Sequence, residues 1–287
     1  MKLSLINVYK NIIGKPACLY KKRNFEDKVT HIKRIEIEIV ENCNLNCKGC
    51  SHFSPLADNT EISIANLKNQ LTQLYDKLGK YFDGISLLGG EPLLHSDICG
   101  CIKVAREAMH DKHIGLTTNG ILLSKQDDIF WETMRDCNVE IEITKYPIKL
   151  PYDEIMQKAK NKGVSLKYFG RSGYVQKTQY TLPLDLTGNQ DAEVSYQNCF
   201  MARECYVLKN GVLYPCSVPA CIERFNKAFG TEIPVTELDG GNIFNESAED
   251  ILNKLSSPIP MCSYCKVKGR TYGNKWGTSK RSIEEWS

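Results

Sequence analysis

The stretch Glu41-Asn-Cys-Asn-Leu-Asn-Cys-Lys-Gly-Cys50 puts Cys43, Cys47 and Cys50 within eight residues, directly after the alternating run Arg34-Ile-Glu-Ile-Glu-Ile-Val40. A period of two reads as a strand, so the three thiols sit on a short loop at a strand's end. Three thiolates on one loop can converge on a metal centre. A structural zinc site, however, is closed by four ligands, and no fourth Cys or His follows at zinc-finger spacing; His52 is nearest, where a finger's second ligand pair lies a dozen or more residues away. A four-iron cluster held by only three thiolates keeps one iron open for a small molecule, and soft sulfur ligands favour iron–sulfur chemistry.

Downstream the chain alternates strand with helix. Ile64, Leu67, Leu71, Leu74 and Leu78 recur at helical spacing behind Ser63, a capping residue. Residues 85–88 read as a buried strand ending in Gly89-Gly90-Glu91-Pro92, Ser96-Asp97 opens a helix through Met109, and residues 113–117 form a third strand ending in Thr117-Thr-Asn-Gly120. A helix at 127–135, a strand at 139–144, a helix at 152–162 and a strand at 164–169 continue the pattern. Such alternation predicts parallel strands joined by right-handed crossovers, closing into a partial β/α barrel. Ligands of parallel β/α barrels gather at the C-terminal strand ends, where the cysteine loop, residues 89–92, Asn119 and Thr144 all fall. Successive glycines at 89 and 90 let the backbone come close to a ligand, and Pro92 stiffens the turn. Asn119-Gly120 is also a common turn pair, so a turn role and a ligand role both stand.

The cysteine loop after one strand and Gly89-Gly90-Glu91-Pro92 after the next, in that order, resemble the radical S-adenosylmethionine (SAM) enzymes. The resemblance implies a partial (β/α)6 barrel in which Cys43, Cys47 and Cys50 hold a [4Fe-4S] cluster whose open iron chelates SAM. The reduced cluster of that family cleaves SAM to a 5′-deoxyadenosyl radical, which removes an unactivated hydrogen from the substrate; the electron comes from an external donor such as flavodoxin or ferredoxin. The resemblance further implies that Gly89 and Gly90 bond the methionine amino group, that Glu91 either touches SAM or orients the loop, and that Asn119 and Thr144 belong to the SAM site. One departure stands out. The residue before the third cysteine is often aromatic in the family and packs on adenine, whereas here it is Gly49, so Phe53 or the stretch after Thr144 is expected to take that role.

Composition agrees with an enzyme without selecting one. A chain of 287 residues suits one large or two small domains and buries roughly 75% of its unfolded surface. With 37 Lys and Arg against 34 Asp and Glu, the net charge of +3 gives no reason to invoke nucleic acid. Thirteen cysteines, clustered and odd in number, with no signal-peptide pattern near Met1, read as a reducing cytoplasm and not as a disulfide framework. No apolar stretch approaches 18 residues, so no membrane span is expected. The N-terminal extension, residues 1–33, mixes Lys10, Lys15, Lys21, Lys22 and Arg23 with Leu3, Leu5, Ile6, Ile12 and Ile13; it reads as a helix packed on the barrel, with contact to an anionic membrane as the alternative. Cys18, Cys99, Cys101 and Cys137 read as small apolar packing residues.

The barrel is assigned to residues 34–170. There the rhythm stops, and six cysteines follow. Cys199, Gly211 and Cys216 form C-x11-G-x4-C, and Cys262 and Cys265 form C-x2-C. Between the first pair, residues 205–208 and 212–214 flank Lys209-Asn-Gly211, a hairpin signal. From spacing alone, four cysteines in two pairs read first as a zinc site. Behind a barrel of this kind the arrangement instead resembles the "twitch" module, a shortened SPASM domain, which implies one auxiliary [4Fe-4S] cluster on Cys199, Cys216, Cys262 and Cys265 within residues 171–275. Cys205 and Cys221 are left over, and either can replace Cys199 or Cys216 in that set. The tail, 276–287, carries two tryptophans counting Trp276 itself and is expected to fold back.

Facing residues on two strands point to the substrate. If helices cover the outside, Ile35, Ile37, Ile39, Ile141 and Ile143 pack outward, while Glu36, Glu38, Glu140, Glu142 and Thr144 face the interior. Buried carboxylates need partners, and the candidates are substrate hydroxyl or amino groups and barrel lysines and arginines such as Lys145 and Arg171; the competing reading is that they are solvated edge-strand groups. Arg171 could equally bind a phosphate or lie on a surface loop. A barrel plus twitch module most resembles the radical SAM enzymes that oxidise or epimerise carbohydrate carbinols. The expected substrate is a nucleotide-, lipid- or polymer-linked sugar, and the spare thiols favour an epimerase with Cys205 as hydrogen donor. The alternatives are Cys221 as donor, a dehydrogenase that needs none, and a peptide-modifying maturase.

Overall fold

A computed structural model describes residues 28–168 and 177–287; the N-terminal extension, Cys18 and Arg171 lie outside the described residues. One eight-stranded sheet organises the chain. Its strands are β1 (Ile35–Val40), β2 (Gly84–Gly89), β3 (His113–Thr118), β4 (Glu140–Ile143), β5 (Leu166–Tyr168), β6 (Tyr206–Lys209), β7 (Val212–Tyr214) and β8 (Gly241–Asn242), in the order β5-β4-β3-β2-β1-β6-β7-β8. The first five are parallel neighbours, each linked to the next by a helix: α1 (Ile64–Leu78), α2 (Ile98–Ala108), α3 (Asp128–Asp136) and α4 (Tyr152–Asn161). Side-chain caps start three of them. Ser63 accepts from the Asn66 N–H, Asp97 from that of Gly100 and Asp127 from that of Phe130, satisfying donors that the first helical turn leaves unpaired.

The sixth parallel strand departs from the simplest barrel. β6 pairs with β1, on the side opposite β2, and not with β5. It is also the first strand of the expected hairpin, whose turn residues Asn210 and Gly211 both have positive φ, as a two-residue type I′ turn requires. The cysteine-rich third is therefore stitched into the barrel sheet. Three helices occur where no β/α rhythm was read: α5 (Ala192–Gln197), α6 (Ser217–Phe229) and α7 (Ala248–Leu255).

The isoleucines of β1 and β4 join one apolar core with Leu67, Leu71 and Leu74 of α1 and Ile102 of α2, so they do face outward beneath the helices. The carboxylates face the interior, where barrel arginines and lysines pair with them. Glu142 accepts from Arg34 at 2.8 Å and Thr117 at 3.1 Å, and pairs with Lys167 at 3.1 Å; Glu38 pairs with Arg224 at 2.5 Å and Lys209 at 3.4 Å. Lys145 instead lies over the rings of Tyr152 and Tyr168. A second apolar core joins Phe53, Val207, Ile222, Phe225, Met261 and Trp286, so the tail folds back. Among the described residues no helix is long and apolar enough to cross a membrane.

Candidate active site

The three cysteines of the loop are half-buried at the C-terminal end of β1. Burial pushes the Cys43 thiol up to about 12 against a hydrogen bond from the Leu45 N–H, with Glu91, Cys50 and Cys47 adding to the rise. Burial and Cys50 likewise raise Cys47. Thiols that raise one another in this way are stabilised together by a shared cation, because metal coordination deprotonates them outright. The donor set therefore fits a metal centre.

The turn at 89–92 supports this loop. Gly90 donates to Val40 O at 2.8 Å and Glu91 to Asn42 O at 3.0 Å. A Cβ at Gly89, whose φ is +138°, would lie 2.1 Å from Val40 O, and one at Gly90 would lie 1.9 Å from Asn42 O. The close approach that demands glycine is thus to the protein's own backbone at the start of the cysteine loop. Glu91 is buried and spends both oxygens on loops: Oε1 accepts from Thr118 at 2.6 Å and the Leu93 N–H at 3.2 Å, and Oε2 accepts from the Asn119 N–H at 2.9 Å. Burial pushes its carboxyl up to about 7 while these three donors pull the other way. Asn119 donates to Asn44 Oδ1 at 2.8 Å and accepts from the Ile121 N–H at 2.9 Å. Its side chain holds the β3 turn to the cysteine loop. Thr144 donates its N–H to Thr118 O at the neighbouring strand end.

The tail closes the loop from the other side. Lys48 donates to Gly277 O at 2.9 Å, Ser279 to Asn46 O at 2.8 Å, Trp286 Nε1 to Cys50 O at 2.9 Å and Trp276 Nε1 to Cys47 Sγ at 3.2 Å. A Cβ at Gly49, where φ is +60°, would meet Glu285 O at 3.2 Å, so the tail occupies the space a larger residue there would need. Phe53 packs between Phe225 and Trp286 and is 2% exposed, which removes it as a platform for a base. Tyr146, two residues after Thr144, lies beside Cys47 and against the Trp276 ring.

A second set of thiols lies in the C-terminal third. Cys199, Cys216, Cys262 and Cys265 line one cavity with Met201, Met261 and Arg270, and burial together with the other three thiols pushes Cys216 well up. Four thiols around one cavity are a donor set that either a zinc ion or a four-iron cluster can use. Arg270 Nη1 donates to Cys199 Sγ at 3.1 Å, while its buried Nε has no hydrogen-bond partner; a sulfide-bearing group in the cavity would accept from it. Cys205 and Cys221 lie outside this lining. Cys205 packs near Phe200 and Tyr180. Burial pushes the Tyr180 phenol well up despite its bond to Ser51, and Cys205 and Cys50 add to the rise. Cys221 is fully buried against Glu38 and His52.

Sequence comparison places residues 37–167 in the Radical SAM superfamily. Over 96 residues the chain is 35% identical to the "Probable GTP 3′,8-cyclase" of Methanococcus aeolicus, covering 33% of this chain and 31% of that protein. Over 97 residues it is 33% identical to Molybdenum cofactor biosynthesis protein 1 of Bos taurus, covering 33% of this chain and 15% of that one. The chain thus spans a third or less of the length of these curated relatives. In fold it is similar to BtrN, seen in a crystal structure in complex with AdoMet and 2-DOIA, with a TM-score of 0.52 and 21% identity over 82% of this chain and 93% of that one.

Proposed function

Residues 37–167 are a radical SAM domain, and from that premise we propose that the protein is a carbohydrate epimerase that takes a hydrogen from a carbinol carbon of a sugar carried on a nucleotide, lipid or polymer. The four-iron cluster and SAM of such a domain supply a 5′-deoxyadenosyl radical. Cys43, Cys47 and Cys50 hold the cluster, the 89–92 turn, Asn119 and Thr144 shape the SAM site, and Glu91 acts through the loops it braces. Cys199, Cys216, Cys262 and Cys265 hold an auxiliary four-iron cluster. Flavodoxin or ferredoxin, or a similar carrier, delivers electrons.

The observation that carries the epimerase reading is the position of Cys205. It is outside the four-thiol cavity but packs on the same small apolar cluster as Cys199, Cys216 and Tyr180, and Tyr180 bonds Ser51, the neighbour of Cys50 in the chain. A thiol there can return a hydrogen atom to the opposite face of the substrate radical; one electron and one proton then restore the thiol. Cys221, being fully buried, is the weaker donor. Polar groups on the inner strand faces, among them Ser86, Thr117 and Glu142, suit a hydroxylated ligand. The test is a Cys205→Ala protein given SAM and substrate in deuterated water. It should keep its iron and form 5′-deoxyadenosine but lose the inverted, deuterium-bearing sugar made by wild type. Loss of iron would make Cys205 a ligand, and a ketone from wild type would make the enzyme a dehydrogenase.

A further inference from the structure

Deep in the barrel, three unlike side chains meet. Cys221 Sγ lies 3.7 Å from Glu38 Oε1 and 3.9 Å from His52 Nδ1, and those two atoms are 3.6 Å apart. Among the described residues this is the one trio of potential metal ligands whose atoms all lie within 4.8 Å of one another. Tetrahedral zinc with sulfur at about 2.3 Å and nitrogen or oxygen at about 2.0–2.2 Å spaces such ligands about 3.4–3.6 Å apart. The observed triangle is only slightly wider than a bound ion would make it.

The groups behind the triangle are arranged as a ligand shell requires. His52 turns its other nitrogen, Nε2, to Glu36 Oε2 at 3.6 Å, the carboxylate–histidine relation that orients metal-bound imidazoles. Arg224 and Lys209 hold Glu38 through Oε2, leaving Oε1 directed at the trio, and Arg224 Nη1 donates to His52 O at 2.6 Å. The frame is rigid. Glu36 and Glu38 share one face of β1 at a spacing of two, and Cys221 and Arg224 share one face of α6 at a spacing of three. Beside the trio, Glu38 and Glu41 face the cations Arg224 and Lys209, and a divalent cation would bind by displacing protons from Cys221 and His52.

We propose that Glu38, His52 and Cys221 form a mononuclear zinc site, separate from both cysteine clusters. Mixed sulfur, nitrogen and oxygen donors suit a borderline-soft ion, and zinc carries no redox chemistry that would interfere with a radical enzyme. Three protein ligands leave the fourth position for an oxygen donor, either water or a hydroxyl of a ligand in the barrel. This site does not depend on the carbohydrate reading or on the auxiliary cluster.

The test uses the anaerobic holoprotein with its iron–sulfur clusters in place, given one equivalent of zinc, freed of excess and examined by metal analysis and zinc-edge X-ray absorption. One sulfur at about 2.3 Å with two or three nitrogen or oxygen neighbours at about 2.0–2.2 Å is the expected shell. Cys221→Ser should remove that sulfur from the shell, and Glu36→Gln should keep it while weakening zinc binding about 10–100-fold. Protein that retains no zinc would overturn the proposal and leave the trio as a proton-balanced ion-pair network. An all-sulfur shell would also overturn it, and would place zinc in the four-thiol cavity instead. A sulfur signal unchanged in Cys221→Ser would do the same.

Discussion

Protein in which Cys43, Cys47 and Cys50 are all replaced by alanine is expected to form no 5′-deoxyadenosine from SAM under dithionite, and to carry about four fewer irons per chain than wild type, the content of one cubane. The fold should survive the change. The loop is held at both ends by bonds that do not involve thiols: Gly90 and Glu91 donate to Val40 and Asn42, and the tail bonds the backbone at Asn46, Lys48 and Cys50. The three thiols themselves are half-buried, and burial with the neighbouring cysteines disfavours the thiolates of Cys43 and Cys47 in the absence of a cation, so their removal should take away a ligand set and not a packing element. Persistent 5′-deoxyadenosine in this variant would show that the loop is not the SAM-cleaving centre.

Replacing Cys262 and Cys265 with alanine should lower the iron content from about eight per chain to about four, leave SAM cleavage in place and abolish sugar turnover. These two thiols come from one short helical turn, Pro260–Tyr264, and the residue after it, whereas Cys199 follows α5 and Cys216 caps α6. The cavity they line therefore ties three separated segments together, and its loss should also lower the melting temperature. Iron–sulfur potentials span roughly −700 to +450 mV, so a cluster there can exchange electrons with a substrate radical, which zinc cannot. Wild-type protein with four irons and one zinc in an all-sulfur shell would refute the auxiliary cluster.

Much of the barrel was legible because each of its elements is written locally. The isoleucine alternation of β1, the leucine spacing of α1, the caps at Ser63 and Asp97 and the Asn210-Gly211 turn each need only a few adjacent residues to be read. Helix α6 was legible too, and missed: Val218, Cys221, Ile222 and Phe225 recur at helical spacing, Pro219 sits in the first turn and Gly230 caps the end. What could not be read is what depends on distant contacts. β6 was expected in a separate module, but its place beside β1 follows from sheet pairing across some 170 residues of chain. The partners of Glu38, the trio it forms with His52 and Cys221, and the tail packed where Gly49 has no side chain all join segments that no spacing rule connects. For the same reason the close approach of Gly89 and Gly90 to Val40 and Asn42 was not foreseen, since it joins the turn to a loop some 50 residues earlier in the chain.

The most direct measurement follows hydrogen itself. Wild-type protein with both clusters reduced is incubated with SAM and either sugars deuterated at their carbinol carbons, carried on nucleotides, lipids or polymers, or peptides deuterated at their carbon positions, and the 5′-deoxyadenosine is analysed by mass. Deuterium should pass into 5′-deoxyadenosine from one carbinol position of one sugar, with an inverted sugar as product. Transfer from a peptide, with none from any sugar, would contradict the carbohydrate assignment.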